Sequence, residues 1–121
     1  MVDALGNPVK VKLTAGQVHD VTVADSLLVD FKPGIVMADA AYDSDKLREQ
    51  IANCGATACI KPRCNRKVAV AFDKEQYKKR HFVECFFQKL KRYRRIATRY
   101  EKLAVRFLAF IHVACILIWL L

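Results

Sequence analysis

Ile35-Val36-Met37-Ala38-Asp39 is an apolar run that starts after the breaker Pro33-Gly34 and ends on an acid. A short, continuously apolar segment bounded by a breaker reads as a central strand buried on both faces, of the kind found in parallel sheets. It delivers Asp39 at its C-terminal end, where open α/β sheets place their ligands. Taken alone that placement says little, because an Asp after a strand is more often a turn residue or a helix cap.

The flanking sequence extends the same reading. Ser44 is placed to cap a helix with Leu47, Ile51 and Ala52 inward, closed by Gly55. A second apolar strand, Ala56 to Ile60, stops at Lys61-Pro62, and residues 63–72 read as a basic loop. From Asp73 onward the pattern is helical, with one long helix reaching Tyr93 or Arg95 and an apolar helix over 104–121 that would cover the sheet. Upstream, Val21, Ala24, Leu27 and Leu28 have helical spacing. Residues 8–14 alternate apolar and polar after Gly6-Asn7, as the second arm of a hairpin would, with the first arm expected mainly before Met1. This order of elements predicts an α/β fold with a partly parallel sheet.

Composition bounds the class. With 54% hydrophobic and 27% charged residues the chain is not disordered, and a mean hydropathy of +0.09 reads as soluble and globular. Its 121 residues suit one domain, 1–121, at the low end for a full α/β core. The net charge of +9 predicts a polyanionic partner, since clustered Lys and Arg release counterions on binding phosphates. That charge is concentrated between Lys61 and Arg106, where only Asp73, Glu75, Glu84 and Glu101 oppose it.

Five cysteines, an odd number with no export signal, predict reduced thiols in a cytosol. Cys54, Cys59 and Cys64 recur regularly, and a zinc site would need His81 or Cys85 as a fourth ligand. Because Cys59 falls in a strand read as buried, packing as small hydrophobes is the better account.

In an uninterrupted α-helix, Tyr77, Arg80, Glu84 and Lys91 fall within an arc of about 60° on one face. A phenol, a guanidinium, a carboxylate and an ammonium would then be presented together. The same spacing also describes a solvated face with i,i+4 pairs such as Arg80 with Glu84. Spacing alone leaves both readings open.

Tyr77-x2-Arg80-x3-Glu84-x6-Lys91 resembles the signature around the third acid of insertion-sequence DDE transposases, and Val36-Met37-Ala38-Asp39-Ala40-Ala41-Tyr42-Asp43 resembles their second-Asp motif. Further stretches are similar to the insertion-sequence-five group in particular: Asp3 to Pro8, Leu13 to Asp20, Lys61 to Lys67, and Arg94 to Leu103. The resemblance implies an RNase H-like fold and a site in which three carboxylates hold two Mg²⁺ (or Mn²⁺) ions for DNA strand cleavage and transfer. Asp39 and Glu84 would be two of the three catalytic, metal-binding acids. Tyr77, Arg80 and Lys91 would contact DNA near the scissile phosphate, and Arg92, Arg94 and Arg95 would add to the DNA-binding surface.

In the resembling family the first Asp precedes the segment seen here, as does a DNA-binding region. The expectation is therefore the C-terminal part of a cytoplasmic bacterial transposase catalytic domain, truncated at its N-terminus and inactive alone. Its partners would be transposon ends, target DNA, and an N-terminal transposase fragment or further copies of itself. Two other readings use the same residues. A non-catalytic DNA-binding regulator, or a decayed remnant, would keep the basic segment without the chemistry. A small tail-anchored membrane protein would use Phe107 to Leu121, but that stretch falls short of the roughly 20 residues a spanning helix requires, so no membrane is expected.

Overall fold

In the computed structural model, which describes every residue except Gln17, strands β1 (Ile35–Ala38) and β2 (Thr57–Ile60) pair in parallel, Ile35 opposite Thr57 and Ala38 opposite Ile60. One position of the Leu13 to Asp20 stretch thus lies outside the described residues. Two compact units form, one from Thr14 to Arg80 and one from Met1–Leu13 together with His81–Leu121.

The first unit is α/β. A 3-10 turn (Asp20–Val23) leads into α1 (Ala24–Leu28), and α2 (Asp45–Asn53) connects the two strands. Leu47 and Ile51, one turn apart on α2, close over Ala24 and Ile60 in the core. Ile51 and Ile60 are fully enclosed, each such side chain contributing about 1.5–3 kcal/mol. Ser44 adopts the extended N-cap backbone without a side-chain cap bond, and Gly55, at φ +78°, ends the helix in the left-handed conformation that glycine adopts without strain.

Two expectations need correction here. Val36 and Ala38 face the core on one side of β1, whereas Ile35 on the other side is 41% exposed, so the strand is not buried on both faces. An apolar run fixes a strand, but only the elements packed on it decide how many of its faces are covered. Ala52 is exposed, so the inward face of α2 is Leu47 and Ile51 alone.

The predicted long helix is segmented. Asp73 caps α3 (Lys74–Tyr77), its carboxylate accepting from the Glu75 and Gln76 amides at 3.0 and 3.2 Å. A 3-10 turn (Lys78–Arg80) follows, then α4 (His81–Lys91), α5 (Arg94–Ala97) and α6 (Ala104–Leu120). In the second unit Phe86 and Leu90 of α4 pack with Ile111, Ala114 and Cys115 of α6, flanked by Val2, Val11 and Leu13. Most other large side chains of α6 are open, Val105 at 80% and Leu120 at 76%, so this helix is less buried than expected. No helix among the described residues is long and apolar enough to cross a membrane.

The chain reverses at Gly6 (φ +84°), where the Asp3 amide donates to the Asn7 carbonyl, and Val2 bridges Pro8 in antiparallel sense. The expected strand over 8–14 does not develop beyond that bridge. Pro8 has no amide proton with which to propagate a ladder, and beyond it Val9 and Lys10 both turn their amides to the Met1 carbonyl. The indole N–H of Trp119 closes the turn, donating to the Pro8 carbonyl at 2.6 Å.

Candidate active site

Asp39 directly follows β1 and caps a 3-10 turn, Ala40–Tyr42, its Oδ1 accepting from the Ala41 amide at 3.0 Å. Its other oxygen, Oδ2, accepts from Arg80 Nη2 at 3.3 Å. The cap and the candidate site are therefore one residue in two roles. The Asp39 side chain is 41% exposed and Arg80 24%, so the acid remains accessible from solvent. The Arg80 guanidinium also lies 6.0 Å from the centroid of the Tyr77 ring, which meets Phe72 edge-on at 5.0 Å. Asp39, Arg80 and Tyr77, taken from two motifs, thus come together within one unit. Tyr42 beside them has its phenol pKa raised, by burial first and then by the negative charges of Asp20 and Asp39.

Asp43, four residues after Asp39, is the buried acid of this unit, its side chain 1% exposed. Oδ1 accepts from Arg48 Nε at 2.8 Å and Arg66 Nη1 at 3.0 Å, and Oδ2 from the Arg63 amide at 2.8 Å. Burial alone would raise its pKa, but the Arg63 amide and the Arg48 and Arg66 guanidiniums outweigh it and hold the carboxyl below the ordinary value. Arg48 continues to the Ile60 carbonyl at the end of β2, and Arg66 also pairs with Asp45. The Arg63 side chain reaches back to the Ala40 and Ala41 carbonyls at 3.1 and 3.2 Å. In the sequence, Asp43, Arg63 and Arg66 figure only as letters of resembling stretches and as charge. Their local signal is slight: an acid between apolar Tyr42 and Leu47, with an arginine five residues on.

The remaining site residues belong to the second unit. Glu84 is exposed in the first turn of α4, and Lys91, Arg92, Arg94 and Arg95 are exposed at the end of α4 and along α5. Arg95 lies 5.1 Å from the Phe110 ring centroid and 3.6 Å from Glu101, and Arg99 lies 5.0 Å from the Phe107 ring centroid. The 3-10 turn at Lys78–Arg80 departs from 3.6 residues per turn, so the uninterrupted α geometry behind the four-residue stripe does not run through the segment. Among the described residues no group of three or more His, Cys, Asp and Glu side chains is gathered as a ligand set. The five cysteines are free thiols, and Cys59 is buried with its thiol on the Asp73 carbonyl.

Asp39 thus presents a strand-end carboxylate paired with an arginine from a basic helical segment. Residues 1–119 match the family described as Transposase DDE domain. The chain is 52% identical over 122 residues to "Putative transposase for insertion sequence element IS6501" of Brucella ovis, an alignment covering 99% of this chain and 94% of that protein. The chain belongs to the DDE transposase family. That family acts on DNA and is generally dependent on divalent metal. No solved structure matches the chain.

Proposed function

We propose that this chain contributes two of the three carboxylates, Asp39 and Glu84, to a catalytic centre for DNA strand cleavage and transfer in transposition, within an RNase H-like fold. The observation that carries this reading is the Asp39–Arg80 pair, in which the second-Asp motif and the Y-x2-R-x3-E-x6-K motif meet across 41 residues. A parallel strand pair with its acid at the C-terminal end of β1 accords with such a fold.

Asp39 suits Mg²⁺ or Mn²⁺ as one ligand, because it offers a hard carboxylate oxygen that is open to solvent. When bound, the metal activates the attacking oxygen and stabilises the leaving one. Arg80 orients the Asp39 carboxylate and attracts the scissile phosphate, with the Tyr77 ring 6.0 Å from its guanidinium. Lys91, Arg92, Arg94 and Arg95 hold the flanking backbone by charge. Two-metal chemistry requires a third carboxylate, which we assign to an N-terminal transposase segment in the bacterial cytoplasm.

The test is Mg²⁺-dependent cleavage of transposon ends by the chain alone and with a segment carrying the further Asp. Cleavage should appear only in the mixture and vanish with Asp39→Asn or Glu84→Ala. Robust cleavage by the lone chain, lost in Glu84→Ala, would place the third ligand within it. Suppression of an active transposase by the added chain would favour the regulator.

A further inference from the structure

Burying a carboxylate as deeply as Asp43 is costly unless several donors compensate, and an apolar residue of similar volume often serves stability as well. What the charge adds is direction. Asp43 holds the Arg63 backbone through its amide, and the same Arg63 sends its side chain to the carbonyls of Ala40 and Ala41. The Ala41 amide in turn donates to Asp39 Oδ1. Arg48 ties this assembly to the end of β2, and Arg66 ties it to the first turn of α2.

We propose that Asp43 is a positioning residue for Asp39: through Arg48, Arg63 and Arg66 it clamps the basic loop onto the 3-10 turn Ala40–Tyr42 and so fixes the backbone that presents the Asp39 carboxylate. This rests on the reading of Asp39 as a metal ligand, but the clamp itself has a readout that does not. Partners that orient a metal-binding side chain typically change metal affinity by roughly 10–100-fold when removed.

The experiment uses the full chain, isotope-labelled, with Mn²⁺ as the probe. Asp43→Asn removes the charge. Arg63→Gln leaves the backbone bond to Asp43 but withdraws the guanidinium from the two carbonyls, and because Arg63 is exposed this variant tests the clamp even if Asp43→Asn does not fold. Arg63→Lys keeps the charge on a single donor nitrogen in place of the two that Arg63 uses. In Arg63→Gln and folded Asp43→Asn, the Ala41 amide resonance should move, and Mn²⁺ affinity, read from broadening at Asp39, should fall about tenfold or more. Arg63→Lys should recover part of both. Folded variants with an unmoved Ala41 amide and wild-type Mn²⁺ affinity would overturn the proposal. If wild-type and Asp39→Ala chains take up Mn²⁺ equally, the ligand assignment fails, while the Ala41 resonance still decides whether the clamp orients Asp39.

Discussion

Arg80 reaches Asp39 with a 3.3 Å hydrogen bond between two side chains that both remain partly open to water. Solvent screening limits such a pair to about 1 kcal/mol or less. Arg80→Ala should therefore leave the urea midpoint almost unchanged while lowering complemented DNA cleavage. A loss of stability beyond about 2 kcal/mol would make the pair a structural tie instead.

Asp43 behaves in the opposite way. Its folded pKa lies below that of the unfolded chain, so its contribution to stability is complete above the unfolded value of about 3.9 and is lost as pH falls through the folded one. Asp43→Asn should cost about 3 kcal/mol at neutral pH, because it removes the buried charge that two guanidiniums share. The variant should also lose less further stability than wild type between pH 5 and pH 2, both limits being approximate. Parallel acid-denaturation curves would assign the acid sensitivity to other groups.

The charged rim of the second unit is not uniform. Arg95 is engaged with Phe110 and Glu101, whereas Arg92 and Arg94 are exposed on the same stretch. Replacing Arg92 and Arg94 with Ala should flatten the salt dependence of duplex DNA binding, by roughly 0.9 in slope for each phosphate no longer neutralised, with little change in melting. Arg95→Ala should lower both affinity and stability. An unchanged slope in the double variant would remove this segment from the DNA interface.

α6 provides an internal contrast. Ile111 is 4% exposed in the core with Phe86 and Leu90, while Ile116 on the same helix is 57% exposed. Ile111→Ala should cost about 2–5 kcal/mol and Ile116→Ala less than about 1. Equal losses in chemical denaturation would mean that Ile116 is covered in solution.

The parts of the fold legible in the sequence are those with local punctuation. Pro33-Gly34 before β1 and Lys61-Pro62 after β2 bracket short apolar runs, and both strands form where those breakers predict. The breaks between Lys74 and Ala97 have no such marker: Lys78-Lys79-Arg80 contains neither Gly nor Pro, yet the helix tightens there. Asp39 can be singled out because its motif is contiguous. Asp43 belongs to the same motif, but its buried role is not legible there, since two of its three partners lie 20 and 23 residues away, outside any helical or strand period. Exposure of β1 and α6 is equally beyond a periodicity argument, which identifies apolar faces without saying what covers them.

The bond from Trp119 to Pro8 has a consequence for how the protein is made. The unit it closes is assembled from both ends of the chain, with residues 14–80 inserted between them. On a ribosome adding about 5–20 residues per second, the Met1–Leu13 segment must wait on the order of ten seconds before α6 emerges to receive it. Residues 14–80 form a continuous unit and need no such delay. Synthesis thus gives the two units different schedules, and until α6 arrives Val2, Val11 and Leu13 are apolar side chains without their native neighbours. That interval is when the nascent chain is most exposed to chaperones and to aggregation.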